Sequence, residues 1–329
     1  MTTVKASMRI LGLLLIAGFL FPYAADAKKI PMVVGVPLAD LRSEPHTTAQ
    51  PGIHDPQQES QLLYGERVRV TDIRDGWAQI EALEQTEYNH KKRWQGYPGW
   101  LPLSSLIPAA AASEPTIVVT AKWAPLWKDA YRAAALDWQL PLGTTVTAVA
   151  MADKLWRIEL VDGNFAWMRY EDAASLEQLA SLSSLEKRKF LIPIAERFLA
   201  DAYVWGGRSP HTDDARIPVS GVDCSGLVNL VFRASGMAIP RDAHEQYLRA
   251  KQVKALQPGD LIFLSEKNNP KHVVHVMLYA GNGEVIEAPG TGKTVRRITI
   301  QERLGQTLDW LTSGSVIDGQ TVYFGSYLP

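Results

Sequence analysis

The chain has 329 residues, with 34 Lys and Arg against 35 Asp and Glu, a formal net charge of −1, and a single cysteine. This length allows two or three domains, and an apolar fraction of 46% argues against a disordered or fibrous chain. The charge balance provides no general attraction for nucleic acid or anionic lipid. One cysteine excludes an intrachain disulfide and a zinc site built on several thiolates, so one thiol remains to be explained.

The N-terminus has the pattern of a secretory signal. Lys5 and Arg9 precede an apolar run over 10–20, and a small-x-small cleavage site follows at 25–27. A transmembrane anchor is the alternative, but the run has about half of the roughly 20 residues that span a bilayer. We therefore predict a signal peptide over 1–27, an exported protein that is periplasmic or secreted, and no membrane anchor after cleavage.

Two segments of the chain repeat one layout of short strands. The interval 33–41 is one apolar strand candidate. The sequence YGERVRVTD at 64–72 is echoed by LGTTVTAVA at 142–150, and the later DGWAQIEAL and PGWL segments are echoed by LWRIELVDGNFAWM at 155–168. Period-two alternation punctuated by Gly and Pro predicts two small β-barrels of about 60–80 residues each. A single larger sheet is the alternative. The Pro/Ala/Ser-rich stretch 108–115 is typical of a linker.

The remainder of the chain is mixed α/β in pattern. A polar, helical stretch over 172–190 leads into an amphipathic helix that we expect to begin near Ser184, although Pro193 lies within it. Further helices are expected after Cys224 and after Asp242. Strands are predicted at 260–264, 274–280, 284–288 and 321–326.

Cys224 lies at or just inside the N-terminus of a predicted helix. The apolar residues that follow it at helix spacing are Leu227, Val228, Val231 and Phe232. Backbone N–H groups at a helix N-terminus favour an anion, which increases the thiolate fraction, and the same groups are suited to an oxyanion hole. The alternative is a buried structural cysteine, although polar Asp223 and Ser225 on either side argue against full burial.

A cysteine nucleophile needs a base, for which we consider His275. It lies in an apolar strand that is followed by a turn near Asn282 and a returning strand that carries Glu287. A three-residue loop puts Glu287 on the same sheet face as His275, where it orients the imidazole and stabilises its charge; a two-residue Asn-Gly turn does not. The alternatives are a core histidine and a surface glutamate.

Several motifs occur together in the last 130 residues, and in this order they resemble the NlpC-type cysteine peptidases of bacterial cell walls. The motifs are Tyr203-Val-Trp-Gly-Gly207, Asp223-Cys-Ser-Gly-Leu-Val228, Leu256-Gln-Pro-Gly-Asp-Leu-Ile-Phe263, His275-Val-Met-Leu-Tyr-Ala-Gly281 and Ile286-Glu-Ala288. The resemblance implies a papain-like α+β core with a small antiparallel sheet. It makes Cys224 the nucleophile, His275 the general base and Glu287 the orienting residue, where the family often has histidine.

Features outside that core resemble the dipeptidyl-peptidase VI subgroup, with DLRSEP at 40–45, QESQLLYGE at 58–66 and GYPGW at 96–100. Two SH3-like barrels precede the peptidase in that subgroup, and acidic and tyrosine groups hold a free ammonium group of the substrate. The residues here that the resemblance assigns to substrate binding are Asp223, Ser225, Asp242, Glu59, Tyr97, Trp205 and Tyr203. A serine often follows the acid at 242, but this chain has Ala243. Each has a structural alternative, such as a loop carboxylate for Glu59, a turn aromatic for Tyr97 and helix packing for Tyr203.

The resulting expectation is a multidomain protein: a signal peptide (1–27), SH3-like domains (28–110 and 111–178) and a peptidase domain (179–329). The resemblance implies that it hydrolyses the bond between γ-D-Glu and the diamino acid of murein peptides with a free N-terminal L-Ala. We expect peptidoglycan-derived peptides as partners, no nucleic acid, and no metal or organic cofactor. The alternatives are a non-catalytic wall-binding protein and a papain-like amidase or acyltransferase. Lysine or diaminopimelate preference and oligomeric state stay open.

Overall fold

A computed structural model describes residues 31–48, 52, 54–109, 114–217 and 219–328. The predicted signal segment 1–27 lies outside these residues. Within the described ranges, no helix has both the length and the apolar character that crossing a bilayer requires.

The first part of the chain forms a seven-stranded antiparallel sheet. Its strands are β1 (Met32–Val34), β2 (Leu38–Arg42), β3 (Gln58–Leu63), β4 (Arg67–Arg74), β5 (Trp77–Glu87), β6 (Gln95–Pro102) and β7 (Leu106–Pro108), in the order β3-β2-β6-β5-β4-β1-β7. Alternation produces one buried face, since Val68 and Val70 are buried whereas Arg67 and Arg69 between them are exposed. The interval 33–41, one strand candidate in the sequence, is divided into β1 and β2 around Pro37, whose ring removes a ladder donor.

The second sheet repeats the first strand for strand. Its strands are β8 (Ile117–Val119), β9 (Trp123–Trp127), β10 (Ala135–Pro141), β11 (Thr145–Ala152), β12 (Leu155–Glu159), β13 (Phe165–Arg169) and β14 (Ala173–Ser175), in the order β10-β9-β13-β12-β11-β8-β14. Each position holds the strand seven places later in the chain than its counterpart. The alternative of one larger sheet is therefore wrong. The helical expectation for 172–190 is also wrong at its start, because β14 pairs with β8 and closes the sheet.

The C-terminal part combines five helices with a third antiparallel sheet. The helices are α1 (Leu176–Ser181), α2 (Ser184–Glu196), α3 (Cys224–Ala234), α4 (Ala243–Arg249) and α5 (Ile300–Leu304). The strands are β15 (Lys251–Gln252), β16 (Leu261–Glu266), β17 (Asn269–Gly281), β18 (Glu284–Glu287), β19 (Arg296–Thr299), β20 (Val316–Ile317) and β21 (Gln320–Ser326), in the order β15-β21-β16-β17-β18-β19, with β20 beside β21. The predicted start of α2 is confirmed, because Ser183 and Glu186 form a capping box there.

Buried ion pairs fix the first sheet against the C-terminal part. Arg208, which is fully buried, donates to Glu66, in the turn between β3 and β4 of the first sheet, at 2.8 Å. Arg233 of α3 donates to Glu84 of β5 at 2.7 Å. Because a buried charge is stable only when it is paired, these contacts hold the two parts in one arrangement. The first sheet therefore packs against α3 and the segment that precedes it.

Candidate active site

Cys224 is the first residue of α3, and the segment that precedes it determines its position. Val222 pairs with Tyr203 and with Arg208, so the motif at 203–207 lies beside the nucleophile. A side chain at Gly226 would collide with the carbonyl oxygen of Gly207. A side chain at Gly207 would in turn collide with the carbonyl oxygen of Gly221, so close backbone approaches explain the glycines at both positions.

Cys224 is 9% exposed, and its side chain interacts with the imidazole of His275. Burial alone would lower the pKa of His275, but the charge and hydrogen bond of Cys224 and those of Glu287 outweigh it and raise this pKa to about 9. The imidazole is therefore held as an imidazolium at neutral pH. A positive imidazolium beside a thiol is the arrangement that activates a cysteine nucleophile.

His275 and Glu287 lie on one face of the β17–β18 hairpin, with Nε2 and Oε2 2.8 Å apart. The turn itself is the two-residue Asn282-Gly283, with φ of 53° and 74°, as a type I′ turn requires. The expectation that a two-residue turn separates these side chains is wrong, because a bulge between Tyr279 and Gly281 shifts the register back to Tyr279 opposite Val285. The bulge supplies the extra residue that a three-residue loop was expected to provide.

Glu287 is fully buried and binds two arginines that the sequence reasoning missed. Arg296 lies opposite Glu287 on β19 and donates to Oε1, while Arg303 of α5 donates to both oxygens. Burial alone would raise the pKa of Glu287, but the hydrogen bond and charge of His275, together with those of Arg303, lower it to about 2. The carboxylate is therefore ionised throughout the neutral range.

A second group of polar residues forms where the first sheet meets α4. The hydroxyl of Tyr97, on β6, donates to Asp242 at 3.1 Å and lies 3.4 Å from Glu59 of β3. Burial and the charges of Asp242 and Glu59 raise the pKa of Tyr97 well above its ordinary value, so its hydroxyl keeps the proton. Residues that are far apart in sequence thus meet in one acidic pocket.

Asp242 is partly open to solvent, since 36% of its side chain is exposed. Burial against protein raises the pKa of Asp242 to about 7; the charge of Arg241 opposes this shift, and the charges of Glu245 and Asp223 add to it. A cationic ligand would stabilise the ionised form of Asp242 in this negative environment.

Asp223 and Ser225, predicted to bind substrate, are occupied within the protein. Asp223 caps α3 by accepting from the backbone N–H of Gly226 at 2.6 Å, and its two oxygens accept from the buried Arg241 at 3.1 and 2.8 Å. The hydroxyl of Ser225 donates to Asp223 and accepts from Arg241. These contacts support the start of α3, with Arg241 as the ion-pair partner of Asp223.

The predicted cleft aromatics take different positions. Tyr203 is buried in the core around Cys224 and Phe198, and burial, followed by the charges of Asp223 and Cys224, raises its pKa. Trp205 is 46% exposed, and its ring lies 5.4 Å from that of His54 of the first sheet's loop. Trp205 is therefore the aromatic that is accessible to a ligand.

A cysteine at a helix N-terminus, a histidine bonded to it and a buried carboxylate behind the histidine define the class of cysteine hydrolases. Residues 200–311, the segment that carries Cys224, His275 and Glu287, match the NlpC/P60 family. The chain is 28% identical over 249 residues to the gamma-D-glutamyl-L-lysine dipeptidyl-peptidase of Bacillus subtilis. The matched region covers 75% of this chain and 77% of that protein. The chain is also 36% identical over 104 residues to a probable endopeptidase p60 of Listeria welshimeri. That match covers 31% of this chain and 18% of the Listeria protein.

A solved NlpC/P60 family protein from Bacillus cereus has the same fold. Its TM-score is 0.71 at 24% sequence identity, and the match covers 91% of this chain and all of that one. The shared fold therefore extends well beyond the segment that matches the family, into both N-terminal sheets.

Proposed function

We propose that this protein is a cysteine endopeptidase that hydrolyses the γ-D-Glu–diamino acid bond of murein peptides with a free N-terminal L-Ala. The observation that carries the proposal is that the acidic pocket of Asp242, Tyr97 and Glu59 adjoins the start of α3. Arg241 pairs with Asp242 at 3.6 Å and with Asp223, which directly precedes Cys224, at 2.8 Å. A Bacillus relative named for cleavage of γ-D-glutamyl-L-lysine supports the same bond specificity.

The reaction proceeds through a thioester. The Cys224 thiolate attacks the γ-carbonyl of D-Glu, and backbone N–H groups of the first turn of α3 stabilise the oxyanion. The imidazolium of His275 gives its proton to the leaving amine of the diamino acid as the C–N bond breaks. Neutral His275 then takes a proton from water, whose hydroxide attacks the thioester. This releases the dipeptide acid and restores the Cys224 thiolate beside the His275 imidazolium.

The acidic pocket selects peptides with a free amine. An ammonium group that enters it is paired with the carboxylate of Asp242, with Glu59 adding negative charge beside it. A stem peptide that is still attached to glycan, or one that is N-acetylated, brings no positive charge and leaves the carboxylate desolvated and unpaired, which lowers its affinity.

We further propose the domain organisation and location that accompany this activity. The two N-terminal sheets are bacterial SH3-like domains (28–110 and 111–178), the remainder (179–329) is a papain-like α+β peptidase domain, and the protein is exported. The identical strand order of the two sheets supports the first assignment, and the pairing of a helix N-terminal cysteine with a strand histidine supports the second.

The proposal is tested with purified mature protein and three substrates. These are L-Ala-γ-D-Glu-diaminopimelate, the same peptide N-acetylated, and intact peptidoglycan, each with Cys224→Ala as the control. We expect cleavage of the free tripeptide alone, giving L-Ala-γ-D-Glu and free diaminopimelate, and none with the variant. No cleavage of the free tripeptide would contradict the proposal and favour a wall-binding protein, while transfer to an added amine would indicate an acyltransferase.

A further inference from the structure

Two arginines enclose the carboxylate that lies behind the catalytic histidine. Arg296 donates Nε and Nη2 to Oε1 of Glu287 at 3.0 and 2.7 Å. Arg303 donates its Nε to Oε1 and Oε2 at 3.0 and 2.9 Å. With His275 on Oε2 at 2.8 Å, the fully buried carboxylate has one partner whose charge varies and two whose charge is permanent.

The charge on His275 changes during the reaction, whereas the burial of Glu287 does not. His275 is positive until it protonates the leaving amine, and it is neutral when it must accept a proton from water. A buried carboxylate whose only counter-ion disappears is penalised by several kcal/mol, so it would draw the proton back. Arginine keeps its proton under all conditions that proteins experience.

We propose that Arg296 and Arg303 are positioning residues that keep Glu287 ionised and aligned with His275 while the imidazole is neutral. Glu287 can then stay an acceptor that orients the imidazole during hydrolysis of the thioester. The inference rests on the proposed function, because it concerns the deacylation half of that reaction. The two arginines also explain how this position can hold a glutamate. A neutral orienting residue would not need their positive charges.

The same arginines limit the basicity of His275. The titratable or charged groups around the imidazole are Cys224 of α3, Glu287 of β18, Arg296 of β19 and Arg303 of α5, and its neighbour across β16 is the apolar Leu264. Outside this set, Asp223 and Arg241 neutralise each other in a buried pair. When one arginine charge is removed, the negative charge of Glu287 is less neutralised and stabilises the imidazolium more strongly. The pKa of His275 therefore rises.

The test compares Arg303→Gln, Arg296→Gln and Arg303→Lys with the wild type. Arg297→Gln is the matched control, because Arg297 neighbours Arg296 on β19 but pairs with Glu284 and Glu196. Two readouts are used: kcat and KM against pH for the free tripeptide, and the pH dependence of alkylation by iodoacetamide of Cys224, the only thiol in the chain. Thermal unfolding establishes that each variant is folded, and the more exposed Arg296 provides a second variant if Arg303→Gln is not.

We expect each glutamine variant at 296 or 303 to lower kcat about tenfold with KM within about twofold, as for an interaction needed after binding. The higher-pH inflection of both profiles, which reports deprotonation of His275, should move up by about half to one pH unit. This is the shift expected when one partly screened arginine charge near the imidazole is removed. Arg303→Lys should return the inflection to its wild-type position, and Arg297→Gln should change nothing.

A fall in kcat with an unchanged upper inflection, or an equal effect from Arg297→Gln, would overturn the inference and leave a purely structural role. The alkylation profile separates this failure from that of the proposed function, since it requires no substrate. If the wild type cleaves no tripeptide but the inflection still moves as stated, the proposed substrate is wrong and the positioning role stands.

Discussion

Replacing Asp242 with asparagine is the sharpest perturbation of the proposed amine pocket. The change keeps the size of the side chain and leaves an oxygen that accepts from Tyr97, now 3.1 Å away, but it removes the negative charge. We expect Asp242→Asn to lose preference for a free N-terminal amine while the Cys224–His275–Glu287 line continues to function.

The magnitude follows from how deeply the carboxylate lies. Loss of one partner of a buried, hydrogen-bonded charge pair typically reduces binding by 2–5 kcal/mol. The side chain of Asp242 is 36% exposed, so solvent screening places the loss near the lower end, about 2–3 kcal/mol, or roughly 30–150-fold in kcat/KM.

The assay compares kcat/KM for the free and the N-acetylated tripeptide in the wild type and in Asp242→Asn. Asp309→Asn makes the same chemical change in an exposed turn over Leu308–Trp310 and should leave both values unchanged. We expect a fall for the free peptide only, with the acetylated peptide within about threefold of its wild-type value. An unchanged ratio of the two substrates in Asp242→Asn would refute the reasoning, and an equal loss on both would indicate damage to the catalytic residues.

Three further results are expected. Because the pKa of Asp242 is raised to about 7, ionisation of the pocket is lost as pH falls, so KM for the free tripeptide should rise below pH 7; a flat KM between pH 5.5 and 8.5 would contradict this. Because Glu287 helps to raise the pKa of His275 to about 9, Glu287→Gln should move the alkaline limb of the kcat/KM profile to lower pH by roughly one unit, whereas a limb that stays at 9 would show that Cys224 alone sets it. Glu66→Ala should lower the free energy of unfolding in urea by about 3–5 kcal/mol, since it leaves Arg208 buried without its counter-ion; a loss below about 1 kcal/mol would mean that water or another group compensates.

The repeated sheets and the main helices could be predicted because their signals are local. Alternation at 64–72 and 142–150 belongs to matching strands, and the helix after Cys224 begins where the apolar spacing starts. The division of 33–41 into two strands and the strand at 173–175 were missed. The strand at 173–175 depends on its pairing with β8, which lies outside the segment itself. The break in 33–41 falls at Pro37, which lies within the segment.

The site could be predicted in part, for related reasons. His275 and Glu287 follow from a hairpin, but the bulge that aligns them has no sequence signature that distinguishes it from a longer loop. A single sequence does not reveal that Asp223 is paired with Arg241. Arg296 and Arg303 were missed because arginines are usually solvated, and only the fold brings both to one buried carboxylate.

The central claim is that Cys224 becomes acylated by the γ-carboxyl of D-Glu. It is tested most directly by mixing the enzyme with L-Ala-γ-D-Glu-diaminopimelate, quenching in acid within milliseconds to seconds, and mapping the adduct by mass spectrometry. We predict an L-Ala-γ-D-Glu thioester on the peptide that contains Cys224, formed no later than free diaminopimelate and absent from Cys224→Ala. Diaminopimelate released without any adduct, or by Cys224→Ala at the wild-type rate, would contradict the account.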